Sequence, residues 1–178
     1  VSHYVRKGTA LFEEALQRGT SVYLVGKVIP MLPEKLSNKI CSLVPEQDRL
    51  TFSVFFEITE KGELVSHKIS KSIINSKRRF TYDEVQEILE NKKGEHFEIL
   101  SGLNKIARIQ RKKRMDTGSI NFITPEVKFV LGDNGKAIDI VIRKSNESHE
   151  LIEEYMLLAN RIIAAEVNRD DKNQSIPF

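Results

Sequence analysis

Residues 147–167 constrain the fold most, because they predict one long helix that is apolar on nearly every side. The apolar residues of its central part are Leu151, Ile152, Tyr155, Met156, Leu157, Leu158, Ala159, Ile162, Ile163, Ala164 and Ala165. Such a helix is stable only when other elements cover it, so we expect the rest of the chain to pack around it. Polar side chains on a buried helix need partners, because burying an unpaired polar group is costly.

Two polar residues of this helix, Glu153 and Asn160, lie seven positions apart and are therefore predicted to point the same way. A buried carboxylate and a buried amide on one stripe could bind a ligand. Alternatively, the helix dipole favours Glu153 in the first turns, and Asn160 bonds to a neighbouring backbone group. The residues themselves leave both interpretations open.

The rest of the pattern predicts hairpins and further helices. Strands are predicted at residues 21–24, 50–58, 64–74, 120–123, 127–131 and 137–142, with a Gly-Asp-Asn-Gly hairpin turn at 132–135 before the last strand. A helix is predicted at residues 9–18, with Thr9 as its cap and Gly19 as its terminating glycine. Further helices are predicted at residues 95–115 and after a capping box that joins Thr81 to Glu84, with one helical turn at 34–38. Strands and helices do not alternate regularly along the chain as they do in repeated βαβ units. The predicted fold class is therefore α+β (mixed α/β), with antiparallel hairpins packed with several helices.

The composition is that of a globular domain. The chain has 178 residues, of which 40% are hydrophobic and 30% charged, enough to build a core. The single cysteine, Cys41, excludes an internal disulfide framework and fits a reducing compartment. No apolar run is long enough to span a bilayer, so we expect no membrane association.

Positive charge is concentrated in two clusters, although the net charge is only +3. The first cluster comprises Lys105, Arg108, Arg111, Lys112, Lys113 and Arg114, and the second comprises Lys77, Arg78 and Arg79. Clusters of this kind bind nucleic acid in some proteins and form solvated faces in most others.

The chain contains no recognisable catalytic motif. Its aspartates are scattered, and no pair has the spacing of a metal site. The four histidines show no zinc-binding pattern, and no phosphate-binding glycine loop or activated nucleophile is present. We therefore predict no catalytic and no metal-binding residue within this chain.

Two aromatic residues occupy positions suited to base stacking. Tyr23 precedes a segment with two prolines, and Phe122 precedes Pro125 at a predicted strand break. Aromatic side chains at loop edges can stack on single-stranded bases. Most aromatic residues in such positions pack in a core instead, so the pattern leaves both uses open.

Several segments resemble the RNB catalytic domain of the ribonuclease II and ribonuclease R family. Their residues are more similar to those of ribonuclease R than to those of ribonuclease II. The resembling segments are residues 1–5, 18–24, 28–38, 41–43, 48–50, 124–129 and 151–160. They occur in one order and cover essentially the whole chain.

The resemblance implies part of a cytoplasmic 3′→5′ exoribonuclease that degrades single-stranded RNA processively to nucleoside 5′-monophosphates. In the family, an aromatic residue that matches Tyr23 stacks on the 3′-terminal base, and Phe122 matches the second aromatic residue of that clamp. Glu153 matches a glutamate that contacts the terminal nucleotide. Residues 30–38 and 41–43 would lie near the bottom of the RNA channel, and no obligate protein partner is implied.

The same resemblance implies that residues 1–178 are the central portion of the catalytic domain, truncated at both ends. The family's Mg²⁺-binding aspartates and an essential arginine motif would lie outside this chain, so we expect the isolated chain to be inactive. The alternative is a non-catalytic RNA-binding or regulatory protein of the same type. A basic α+β domain without any role in RNA binding is the third interpretation.

Overall fold

The computed structural model describes residues 1–120, 126–132, 137–143 and 145–170. The chain forms two compact units. The first comprises Val1–Arg49, Ile74–Arg79 and Pro125–Arg143, and the second comprises Leu50–Ile73, Phe80–Thr124 and Lys144–Phe178. No described helix combines the length and apolar character needed to cross a bilayer.

The first unit begins with helix α1, Ala10–Arg18. The side chain of Thr9 accepts a hydrogen bond from the amide of Phe12, and Gly19 ends the helix with a φ of 67°. These are the predicted start and stop signals, since a capping hydroxyl satisfies a free amide and glycine adopts positive φ without strain.

Strands β1, Val22–Leu24, and β2, Lys27–Ile29, follow α1 and pair in antiparallel register, with Tyr23 opposite Val28. Gly26 lies in the turn with a φ of 73°. The strand predicted at 21–24 is therefore one half of a tight hairpin. The helical turn predicted at 34–38 is a π-helical turn at Lys35–Ile40, in which the side chain of Leu36 is buried.

Strand β5, Glu126–Leu131, pairs antiparallel with β6, Ala137–Arg143, in the same unit. The pairing confirms the predicted hairpin, although the predicted Gly-Asp-Asn-Gly turn extends into residues 133–136, outside the described residues. The strand predicted at 120–123 likewise falls mostly outside them.

Strands β3, Asp48–Ile58, and β4, Leu64–Asn75, form a hairpin that contributes residues to both units. Gly62 lies in its turn with a φ of 69°. On one face, the hydroxyls of Thr51, Ser53 and Ser72 lie 2.7–3.0 Å from one another. The hairpin was predicted at nearly these bounds.

The second unit also contains helices α2, Tyr82–Asn91, α3, Phe97–Asp116, and α4, Glu147–Asp170. Helix α2 begins with the predicted capping box, in which Thr81 and Glu84 exchange side-chain and backbone hydrogen bonds. Among the described residues of this unit, the buried side chains lie on α3 and α4: Asn104, Ala107, Ser148, Leu151, Glu154 and Ile162. The predicted α+β fold of hairpins and helices is confirmed.

Helix α4 differs from the prediction in one respect. It is not covered on every side, because Ile152 and Met156 are exposed while Leu151 and Ile162 are buried. The buried stripe repeats every three to four residues, as in any helix that packs one face on a core. The prediction of burial all round was therefore wrong.

Candidate nucleic-acid interface

Tyr23 is the most exposed of the described tyrosines, with 78% of its surface accessible. It lies on the short hairpin β1–β2, whose residues all have exposed side chains. The hydroxyl of Ser21 accepts a hydrogen bond from the Met31 amide at 2.9 Å, which ties the strand to the proline-rich segment that follows β2. The alternative that Tyr23 packs in a core is therefore wrong.

Phe122, the second predicted aromatic residue, lies outside the described residues. Its assignment stays a prediction. Tyr23 belongs to the first unit and Glu153 to the second.

The side chain of Glu153 is 48% exposed, whereas its neighbour Glu154 is only 4% exposed. Asn160 is exposed as well. The structure therefore contradicts a buried stripe of Glu153 and Asn160, which was one of the two interpretations that the sequence left open. Successive helical residues are rotated by about 100°, and α4 turns the face of Leu151 and Glu154 inward.

Arg114 of helix α3 binds both glutamates. Its Nε lies 3.2 and 3.3 Å from the two carboxylate oxygens of Glu154, and its Nη2 lies 2.5 Å from Glu154 Oε1. The same Nη2 donates to Glu153 Oε1 at 3.1 Å. The hydrogen bond to Glu154 is the main cause that raises the pKa of Arg114 above its ordinary value, with the charge of Glu153 adding to it.

Arg111 supplies a second set of contacts to the same acidic group. Its Nη2 lies 3.1 Å from Glu150, and its Nη1 lies 3.6 Å from Glu153 Oε2 and 3.8 Å from Glu154. The two oxygens of Glu153 thus each have one arginine partner. Arg111 and Arg114 together hold the partly exposed carboxylate of Glu153 in one place.

The remaining basic residues of α3 are largely paired within the second unit. Arg108 forms an ion pair with Glu147, and Lys105 lies 3.4 Å from Glu60. Lys113 donates to backbone carbonyls in the β3–β4 turn. Four of the six basic residues of the cluster, Lys105, Arg108, Arg111 and Arg114, face carboxylates. The cluster therefore contributes less to a nucleic-acid surface than its sequence indicates.

Sequence reasoning missed this ion-pair network, although a signal was present. Arg108, Arg111 and Arg114 recur every three residues on α3, and glutamates recur every three residues on α4 at Glu147, Glu150 and Glu153. Residues three or four apart share a helix face, so two such rows of opposite charge indicate packed helices. The three-residue spacing of arginines on α3 and of glutamates on α4 therefore indicates in the sequence which residues form the network.

Metal-binding chemistry does not fit the described residues. Among them, no three histidine, cysteine, aspartate or glutamate side chains form a group that could hold a metal ion. The carboxylates of Glu153 and Glu154 on α4 are bound by Arg111 and Arg114 instead. A Mg²⁺ ion needs oxygen ligands that are not already engaged by guanidinium groups.

Comparison with known proteins places the chain in a family. The sequence profile of the RNB domain matches residues 1–177, and the chain therefore belongs to the RNB domain family. Ribonuclease R of Thermotoga maritima is 47% identical over 170 residues, which cover 92% of this chain and 24% of that protein. The human exosome complex exonuclease RRP44 is 39% identical over 173 residues, or 96% of this chain and 18% of that protein.

Solved structures show the same fold. The apo form of Mycoplasma genitalium RNase R superposes with a TM-score of 0.84 at 30% identity, covering 96% of this chain and 27% of that one. A structure of that protein with double-stranded RNA gives a TM-score of 0.86 and covers 31% of its chain. Yeast Ssd1, described as a pseudonuclease, shares the fold at 18% identity with a TM-score of 0.72. The chain spans about a quarter of the length of most of these relatives.

Proposed function

We propose that this chain forms part of an exoribonuclease that hydrolyses single-stranded RNA from its 3′ end and releases nucleoside 5′-monophosphates. Membership of the RNB domain family and high identity to proteins named ribonuclease R support the proposal. Complexes of M. genitalium RNase R with single-stranded and double-stranded RNA support RNA as the ligand class.

The observation that carries the proposal is the exposure of Tyr23. Folding normally buries much of a tyrosine ring, yet this ring is left 78% accessible on a hairpin held to its neighbours by backbone and hydroxyl contacts. An exposed ring on a fixed strand has the form of a platform for a base. In this proposal Tyr23 stacks on the 3′-terminal base, Phe122 supplies the second ring, and Glu153 contacts the terminal nucleotide.

Substitution of Tyr23 tests the platform in the full-length polypeptide that carries this sequence. Stacking on an aromatic residue contributes about 1–3 kcal/mol per base, so Tyr23→Ala should weaken binding of single-stranded RNA about 5- to 150-fold. Tyr23→Phe keeps the ring and should bind within about twofold of the wild type.

Tyr4→Ala is the matched control, because Tyr4 is a second exposed tyrosine of the same unit, 46% accessible, and packs edge-to-face on His3. Its removal should leave RNA binding unchanged. Equal losses for Tyr4→Ala and Tyr23→Ala, or an equal loss for Tyr23→Phe and Tyr23→Ala, would contradict the stacking role.

Hydrolysis by this protein would need Mg²⁺ held by carboxylates outside the chain described above. We expect the full-length polypeptide with Mg²⁺ to release 5′-monophosphates from linear RNA and to spare a circular RNA, which has no 3′ end. The 178-residue chain alone is expected to release none. Cleavage of the circle would argue against exonucleolytic action from the 3′ end.

The alternative function is RNA binding without catalysis. It is favoured by the occurrence of this fold in a protein described as a pseudonuclease. Saturable binding of single-stranded RNA, weakened by rising salt but without nucleotide release, would establish this alternative. Absence of saturable binding at low salt would instead establish a domain without an RNA role.

A cytoplasmic location is part of the proposal and rests on the unpaired Cys41, which fits a reducing compartment. Cell fractionation with detection of the protein in a membrane or secreted fraction would contradict it.

A further inference from the structure

The contacts of Arg114 are more extensive than the joining of two helices requires. The fork on Glu154 already links α3 to α4 at a site where both side chains are largely buried, 12% and 4% exposed. A planar guanidinium has five donors in fixed directions, so once Glu154 binds one edge, the direction of the remaining donors is set. One of the donor groups so directed meets Glu153.

Glu153 gains order from this arrangement rather than burial. A half-exposed glutamate normally samples several rotamers, and fixing such a side chain costs conformational entropy. Arg114 on Oε1 and Arg111 on Oε2 hold the carboxylate before any ligand arrives. A carboxylate has about four lone-pair positions, so two arginine contacts leave acceptor capacity for a ligand hydroxyl or amine.

We propose that Arg114, anchored by the buried Glu154, is a positioning residue that presents the carboxylate of Glu153 to the terminal nucleotide of RNA. The inference rests on the proposed role of Glu153. It adds that the orientation of this acceptor is set by the buried pair on helices α3 and α4. A group held in its binding geometry loses less entropy on binding, which is the physical benefit of the device.

The test compares Arg114→Lys in two backgrounds of the full-length polypeptide, wild type and Glu153→Ala. Lysine keeps the charge but not the fork, so it cannot hold both glutamates in fixed directions. We expect Glu153→Ala and Arg114→Lys each to weaken binding of single-stranded RNA, measured without Mg²⁺, about tenfold, the effect of one charged hydrogen bond. In the Glu153→Ala background, Arg114→Lys should cause no further loss, because its target is gone.

Two controls separate positioning from general damage. Arg108→Lys changes an arginine on the same helix that is 62% exposed and paired with Glu147, so it should leave RNA binding unchanged. Glu154→Gln keeps the side-chain shape while weakening the anchor, and it should reproduce the background-dependent loss of Arg114→Lys. Thermal unfolding of every variant reports the structural effect, which should persist in both backgrounds.

Each outcome is decisive. Equal losses from Arg114→Lys with and without Glu153, or no loss from either Arg114→Lys or Glu154→Gln, would overturn the positioning role. Wild-type RNA affinity in the single variant Glu153→Ala would contradict the proposed contact between Glu153 and the terminal nucleotide. A loss on Tyr23→Ala in the same assay would then leave the stacking part of the proposed function intact.

Discussion

Removal of the buried carboxylate of Glu154 is expected to loosen helices α3 and α4 far more than removal of its neighbour. Breaking a buried ion pair by deleting one partner costs about 3–5 kcal/mol, because the other charge remains buried. Arg114 retains Glu153 as a partner at 3.1 Å, and a half-exposed pair offsets about 1 kcal/mol of this. We therefore expect Glu154→Ala to destabilise the helix pair by about 2–4 kcal/mol.

Hydrogen exchange of the backbone amides of α3 and α4, read by mass spectrometry, measures this change directly. A loss of about 2–4 kcal/mol corresponds to about 30- to 900-fold faster exchange of the most protected amides. Glu153→Ala is the matched control and should accelerate exchange less than about fivefold, since partly exposed pairs contribute about 0.2–1 kcal/mol. The amides of α1, in the other unit, should not change in either variant.

The double variant Arg114→Met with Glu154→Leu tests the physical reason. Replacing both charges by apolar side chains of similar volume leaves no buried charge unpaired, because Glu153 is half exposed and keeps Arg111, so the exchange rates should be within about tenfold of the wild type. If the double variant exchanged as fast as Glu154→Ala, loss of packing rather than an uncompensated charge would explain the effect. If Glu153→Ala matched Glu154→Ala, the distinction between the two glutamates would fail.

Three further predictions concern the turns, the caps and high pH. Gly62→Ala should lower stability by about 1–3 kcal/mol more than Gly19→Ala in thermal unfolding, since both have positive φ but only at Gly62 would a new methyl group lie 2.9 Å from a side chain of α3. Thr81→Ala should cost about 0.5–2 kcal/mol by the same measurement, because it removes the capping box. Burial raises the pKa of Tyr155 above its ordinary value of 10.0, so its contribution to stability is present below that pH and lost as pH rises through the raised pKa. Tyr155→Phe should therefore have a lower free energy of unfolding in urea than the wild type at neutral pH, because it loses the hydrogen bond to the Leu103 carbonyl. The difference in unfolding free energy should shrink in alkali, and a difference that stays constant with pH would contradict this assignment.

Local signals in the sequence predicted most of the secondary structure. The capping hydroxyl of Thr9, the terminating Gly19 and the capping box at Thr81 fix helix ends through contacts within a few residues, and the structure has all three. The same holds for the β3–β4 hairpin, whose alternating strands flank a turn with Gly62. Such signals depend on neighbours along the chain, so sequence alone suffices to locate them.

The candidate site was less predictable. Tyr23 could be named from its position and from the family resemblance, but its exposure depends on which segments cover the β1–β2 hairpin. The burial of α4 was overestimated because nearly all its residues are apolar, which hides the three-to-four-residue period that marks the inner face. The charge available on α3 was overestimated for a related reason, since its partners lie about 40 residues further along the chain.

The sequence by itself therefore determined the family, the order of helices and hairpins, and the identity of the charged residues on α3 and α4. Only the tertiary structure decided which of two adjacent glutamates is buried and which arginine binds it. The physical reason is that local hydrogen bonds set where an element begins and ends, whereas its rotation about its own axis is set by packing against distant side chains. A rotation of about 100° separates one residue from the next, and that angle distinguishes the inward-facing Glu154 from the half-exposed Glu153.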